Sequence, residues 1–86
     1  MTNLSKLERF WMGKPPTTRK MIEEYIAGAT ITQREIAHKY GRPTAAIQKH
    51  MTILKLRGLL VRVGYNKRED QKGKIMYEWR ENGEKA

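Results

Sequence analysis

The chain has 86 residues, of which 38% are hydrophobic and 31% are charged, a mixture typical of a folded domain rather than a disordered segment. A chain this short supports one small hydrophobic core, which excludes a two-domain enzyme. Eighteen Lys and Arg residues against nine Asp and Glu residues leave a formal net charge of +9. This excess is typical of proteins that bind polyanions, and nucleic acid is the first candidate.

The residue content also limits the compartment and the chemistry. Cysteine is absent, which excludes disulfides, thiolate metal sites and a cysteine nucleophile. No apolar run approaches the roughly 18 residues of a membrane span, and residues 1–6 lack the apolar stretch of a signal peptide. We therefore expect a cytoplasmic protein with no membrane partner.

The N-terminal residues 1–14 predict a short helical arm. Apolar residues recur at helical spacing from Leu4 to Trp11, and Ser5 followed by Glu8 is a candidate capping box. Pro15 and Pro16 then end the pattern, because proline does not continue a helix. We expect this arm to be separate from the domain that follows.

Residues 15–80 form the predicted domain. Its pattern predicts three further helices, which end before residue 59. The first has Thr17 or Thr18 as its N-cap and ends near Gly28. The next begins with a capping box of Thr32 and Glu35 and stops at Gly41. The last runs over 44–57 and is closed by a glycine at 58. The last two helices, joined by a short glycine-bearing turn, form a helix-turn-helix.

Beyond residue 58 the pattern becomes extended. Residues 59–65 and 75–79 are rich in aliphatic, β-branched and aromatic side chains and predict two strands. The polar stretch 66–74 between them has the length of an extended hairpin loop. Residues 81–86 have no periodicity, and we expect a flexible tail.

Three helices followed by a hairpin with a basic tip resemble the winged helix-turn-helix family of transcription regulators. The most specific part of the resemblance is the run ITQREIA over 31–37, Gly41, and the pattern AI..HM..L..RGLL over 46–60, which is similar to the signature of MarR-type regulators. The residues PTTR at 16–19 and PTAA at 43–46 are similar to the DNA-binding domain of LexA-type repressors. The resemblance implies an α+β, mainly α fold: a three-helix core, a C-terminal β-hairpin wing and here an extra short N-terminal helix.

A helical wheel at about 100° per residue divides the helix 44–57 into two faces. Ile47, His50, Met51 and Leu54 lie at the centre of the apolar face. The opposite face is polar, and the helix contains no acidic residue. Leu56 also lies on this polar face, and the wheel does not explain why an apolar residue stands there. A helix of this kind fits the major groove, where Gln pairs with adenine and Lys with guanine.

We therefore expect double-stranded DNA as the partner. The expected base-contacting residues are Thr44, Ala45, Gln48, Lys49 and Thr52. At Thr44 and Ala45 many members of the family have arginine and serine, so base readout is expected to be thinner here. Thr44 has a second interpretation, as the N-cap of its helix.

Cations flank this helix on both sides in the sequence. Residues 30–58 hold six Lys and Arg residues against Glu35 alone, a net charge of +5. The expected backbone-contacting residues are Arg34, Lys39, Arg42, Lys55, Lys67, Arg68, Lys72 and Lys74. Those in 66–74 would reach phosphates or the minor groove; a solvated loop is the alternative, since Glu69 and Asp70 lower its charge.

No enzymatic site is predicted. His38 and His50 are the only histidines, and no carboxylate stands at zinc spacing. His50 lies on an apolar helix face, which favours a packing or backbone-bonding role. We expect no catalysis, no metal, no cofactor and no small-molecule ligand.

The aromatic residues Phe10 and Trp11 of the arm pack either on their own domain or on a second subunit. We expect a homodimer, because one recognition helix reads few base pairs and a two-fold dimer doubles that number.

Two functions follow from these observations. The first is a small transcriptional regulator that occupies promoter or operator DNA in the nucleoid or on host-cell DNA. The alternative is a winged-helix module that binds protein or RNA, or an accessory factor in replication or recombination.

Overall fold

The computed structural model describes residues 4–67 and 73–83. In these ranges the chain forms four helices followed by a two-stranded antiparallel hairpin, a small and mainly helical α+β fold. The elements are α1 (Lys6–Trp11), α2 (Pro16–Ala27), α3 (Gln33–Lys39), α4 (Thr44–Leu56), β1 (Leu60–Lys67) and β2 (Gly73–Trp79). Their predicted order is confirmed. No described helix is long and apolar enough to cross a membrane.

Helix α1 begins with the predicted capping box. The Ser5 hydroxyl accepts from the Glu8 backbone N–H at 3.1 Å, and the Glu8 carboxylate accepts from Ser5. Phe10 and Trp11 at its end are buried in the hydrophobic core, and the Trp11 and Trp79 rings meet edge to face at 6.0 Å. The expectation of a separate arm is therefore wrong, because these rings pack on their own domain.

The N-terminus of α2 also differs from the prediction. Its N-cap is Pro15 and its first residue is Pro16, so neither Thr17 nor Thr18 is the cap, and Thr18 is buried. A proline fits the first helical position because the backbone N–H that it lacks would have no partner there. The helix ends at Ala27 with Gly28 as its C-cap, as predicted.

Local signals set the ends of α3 and α4. The predicted capping box is present, with the Thr32 hydroxyl accepting from the Glu35 N–H at 3.1 Å. Gly41 has φ +63° and Gly58 has φ +68°, in the left-handed region that glycine enters without steric cost. The turn between the helices and the end of α4 are thus where the sequence predicts them.

The hairpin is longer than expected. Leu60 pairs with Trp79 and Lys67 with Gly73, with an irregularity in register between Arg62 and Gly64. The strands therefore extend into the stretch 66–74 that was expected to be loop. The added pairs bring polar residues into the ladder, where backbone hydrogen bonding rather than apolar alternation continues the strand.

One core joins all the helices to the base of the hairpin. Its most deeply buried side chains are Met21, Ile22, Ile36, Ile47, Met51, Leu54 and Leu59. Among the described residues no buried side-chain nitrogen or oxygen lacks a hydrogen-bond partner.

The segment after β2 returns to α1. The Leu7 N–H donates to the Glu81 carbonyl at 2.8 Å, and the Lys6 N–H donates to Asn82 Oδ1 at 3.3 Å. Residues 81–83 of the predicted tail are thus hydrogen-bonded to the domain, and residues 84–86 lie outside the described ranges.

Candidate nucleic-acid interface

Helix α4 has one buried and one exposed face. Ile47 and Leu54 are fully buried, and Met51 is 2% exposed. The opposite face carries the exposed residues Ala45, Gln48, Lys49, Thr52 and Lys55. This division places four of the five predicted base-contacting residues on one solvent-facing surface, which we call the α4 face.

The α4 face is positively charged. Helix α4 contains no Asp or Glu, and neither Lys49 nor Lys55 forms a salt bridge with a described carboxylate. The Lys55 ammonium lies 5.8 Å from the centre of the Tyr77 ring. Both ammonium groups thus lie on the exposed face without a carboxylate partner among the described residues.

The two threonines of α4 that are predicted as base contacts have different surroundings. Thr44 is the first residue of the helix, Pro43 is the N-cap, and no side chain caps this end, so the interpretation of Thr44 as the cap is wrong. Thr44 is half-buried. The Thr52 hydroxyl donates to the Gln48 carbonyl at 2.9 Å, which leaves its oxygen as an acceptor and its methyl group as an apolar contact.

The three cations predicted around the turn differ in their surroundings. Arg34 and Arg42 are exposed and form no salt bridge with a described carboxylate. Lys39 is also exposed, but its ammonium donates to the Glu24 carboxylate, which accepts from the Tyr40 hydroxyl as well.

The pKa values in this cluster follow from its hydrogen bonds. The bonds from Lys39 and Tyr40 lower the pKa of Glu24, and the bond to Glu24 raises the pKa of Lys39. Lys39 would have to leave Glu24 to contact a phosphate, and it is therefore the weakest of the three candidates for such a contact.

The predicted hairpin cations are only partly described. Lys67 is exposed at the end of β1. Arg68 and Lys72 lie outside the described residues.

Lys74 differs from the prediction, which places it at the exposed tip of the hairpin. It lies in β2, is 3% exposed, and its ammonium donates to the carbonyls of Tyr25 and Gly28 at the end of α2. The ammonium is 4.3 Å from the centre of the Tyr25 ring. Burial lowers the pKa of Lys74. The predicted phosphate contact by Lys74 is therefore wrong, because its side chain caps α2 and holds the hairpin instead.

His50 has the predicted backbone-bonding role. Its Nδ1 is 2.6 Å from the Ala46 carbonyl oxygen, and its ring is edge-on to Phe10 at 6.3 Å. Among the described residues no group of three His, Cys, Asp or Glu side chains could hold a metal ion.

Two exposed arginines were missed by sequence reasoning. Arg57 is the C-cap of α4, and Arg62 lies in β1, and neither forms a salt bridge with a described carboxylate. Their charge was visible in the sequence. Their position beside α4 and the hairpin depends on the tertiary structure.

No protein-family model matches the chain, and no curated protein or solved structure matches it significantly.

Proposed function

We propose that this protein is a winged helix-turn-helix protein that binds double-stranded DNA in a sequence-specific manner and regulates transcription by occupying promoter or operator DNA. In this proposal α3 and α4 are the helix-turn-helix, the hairpin is the wing, and the chain acts by binding without catalysis. The observation that carries the proposal is the exposed, carboxylate-free α4 face on the second helix of the pair.

The dimensions of α4 fit this role. Its 13 residues correspond to about 20 Å of helix, and the major groove of B-DNA admits an α-helix. Gln48 can form a bidentate pair with adenine, and Lys49 can donate to guanine. The Thr52 methyl group can contact a thymine methyl, and Ala45 permits close approach.

Phosphate contacts would come from the flanks. Arg34 and Arg42 are the strongest candidates on the helix pair, because Lys39 is already bonded to Glu24. On the hairpin, Lys67 is exposed and can reach the backbone or the minor groove. A dimer on a two-fold site would need a surface other than Phe10 and Trp11, since both are buried in their own domain.

The test is a fluorescence-anisotropy titration with duplexes selected from a random library, at low and near-physiological salt. Phosphate contacts predict an affinity that falls steeply with salt concentration. Gln48→Ala should weaken the selected site about 5- to 150-fold, from the roughly 1–3 kcal/mol of a bidentate base contact, and leave mixed-sequence DNA nearly unaffected.

Lys49→Ala should also weaken binding, and Lys6→Ala is its control. Lys6 is an exposed lysine on α1, so the two variants remove the same charge from different surfaces. Equal losses of DNA affinity in the two variants would show that binding depends on net charge and not on the α4 face. An absence of binding at low salt would overturn the proposal in favour of a module that binds a protein partner.

A further inference from the structure

Leu56 is the most exposed large hydrophobic residue among those described. It is 82% exposed at the last position of α4. The other large hydrophobics of this helix pack in or against the core, and Leu56 is not among them. An isolated exposed leucine is ordinary in itself, and its surroundings decide whether it has a role.

Leu56 lines a groove between the C-terminal end of α4 and the base of the hairpin. The groove has a volume of about 590 Å³, and Ile75 and Tyr77 of β2 also contribute to its wall. Both of these residues are half-buried. A volume in this range is enough to hold ligand-sized groups, so the groove can take large side chains of a partner next to Leu56.

The edge of the groove is cationic. Lys55, Arg57 and Arg62 also line it, all three are exposed, and none forms a salt bridge with a described carboxylate. The described lining residues include no Asp or Glu. The groove thus combines an apolar wall with positive charge that no described carboxylate pairs.

We infer that this groove binds an acidic segment of a partner protein, with a large apolar side chain of that segment packed on Leu56 and its carboxylates on Lys55, Arg57 and Arg62. A buried apolar anchor surrounded by complementary charge is the arrangement that gives protein interfaces affinity and specificity. A second copy of this chain fits poorly, because its net charge of +9 would be repelled by the three cations.

The inference goes beyond DNA binding because it concerns the C-terminal end of α4, where Lys55 belongs to both the α4 face and the groove. Leu56 follows Gln48 by eight residues, which is about 12 Å along a helix. DNA supplies phosphates for the cations but little apolar surface for Leu56 at this end. A protein segment supplies both.

The experiment uses two labelled peptides of equal negative charge. One is an aspartate-rich peptide with two leucines four positions apart, and its twin has serine in place of both leucines. Each is titrated by anisotropy against the full chain, Leu56→Ser and Val63→Ser. Val63 is the matched control, because it is 54% exposed on β1 and lies outside the groove.

We expect the wild-type chain to bind the leucine peptide about ten-fold or more tightly than the serine peptide, as burial of a leucine side chain predicts. Leu56→Ser should abolish this preference, and Val63→Ser should retain it. Both variants alter exposed side chains, and thermal melting should show them folded.

Three results would overturn the inference. They are no binding of the leucine peptide, equal binding of the two peptides, and equal effects of the two substitutions. The same variants titrated with DNA keep the two proposals separate: Leu56→Ser should leave DNA affinity within about two-fold, and a larger loss would assign Leu56 to the DNA surface instead.

Discussion

The α3–α4 pair and the hairpin are held in the domain by different means. The helix pair buries Ile36, Ile47 and Leu54 completely, and its ends are set by the Thr32 capping box and Gly41. The hairpin buries few side chains deeply, and among its described residues two polar contacts join it to the end of α2 and the residues that follow. These are the Lys74 ammonium on α2 carbonyls and the Asn66 amide, which donates to the Ala29 carbonyl at 3.0 Å.

The difference shows which parts of the proposed DNA surface depend on local sequence. The α4 face is formed by residues close together in the chain, and its exposure follows from the helical period of the opposite, apolar face. The position of the hairpin depends on contacts between residues more than 35 positions apart. Substitutions in the two regions should therefore have separable effects on stability and on DNA binding.

The core beneath α4 should give the largest loss of stability. Ile47→Ala removes a fully buried side chain and should lower the free energy of unfolding by about 2–5 kcal/mol. Its neighbour Gln48 is exposed, and Gln48→Ala should change stability by less than about 0.5 kcal/mol while it weakens DNA binding. Denaturant unfolding measures both. Similar losses in the two variants would contradict the assigned faces.

The hairpin anchor should give the next largest effect. Lys74→Ala leaves the Tyr25 and Gly28 carbonyls without their donor and should destabilise the chain by about 1–3 kcal/mol. Lys67→Ala removes an exposed lysine from the other strand and should change stability by less than about 0.5 kcal/mol. If Lys74 instead lay on the DNA surface, its variant would lose DNA affinity and keep its stability.

The α3 capping box should give a smaller effect. Thr32→Ala removes the acceptor for the Glu35 N–H and should cost about 1 kcal/mol. Thr17→Ala is the control, since Thr17 is exposed in the first turn of α2 and is not a cap. Melting temperatures of the two variants check this prediction, and a loss at Thr17 equal to that at Thr32 would contradict it.

The smallest effect concerns pH. Burial lowers the pKa of Lys74 below its ordinary value of 10.5, so between the two pKa values the unfolded chain binds more protons than the folded chain. The free energy of unfolding should therefore rise as the pH rises toward 10.5.

Lys74→Met lacks this titrating group and isolates its contribution. The stability difference between the wild-type chain and this variant should shift in favour of the wild type over the pH range below 10.5, as the pH rises toward that value. The measurement is a series of denaturant midpoints across this range. A difference that stays constant with pH would show that the pKa of Lys74 is the same in the folded and unfolded chains.

Much of the helical part could be predicted because its signals are local. The Ser5 and Thr32 capping boxes and the glycines at 41 and 58 all lie where the sequence indicates, and the period of the apolar residues assigned both faces of α4. The predicted start of α2 at Thr17 or Thr18 is wrong because a threonine hydroxyl and a proline are both typical of a helix start, and here the helix begins at Pro16.

The candidate site was predicted less completely than the helices. Gln48, Lys49 and Thr52 were assigned to an exposed face by periodicity alone. Lys74 was assigned to the wrong environment because a lysine beside a glycine and other charged residues is typical of a loop, and sequence pattern does not show that two helix-terminal carbonyls lie within its reach. For the same reason, the sequence pattern does not show that Arg57 and Arg62 line one groove.

Four features follow from composition or from residues within a few positions of one another: the positive charge, the order of the elements, the ends of α3 and α4, and the division of α4 into two faces. The tertiary structure decided that Phe10 and Trp11 complete the core, that Lys74 caps α2, and that Leu56 borders a cationic groove. These outcomes depend on contacts between distant segments, which form only when the whole chain buries its apolar surface together.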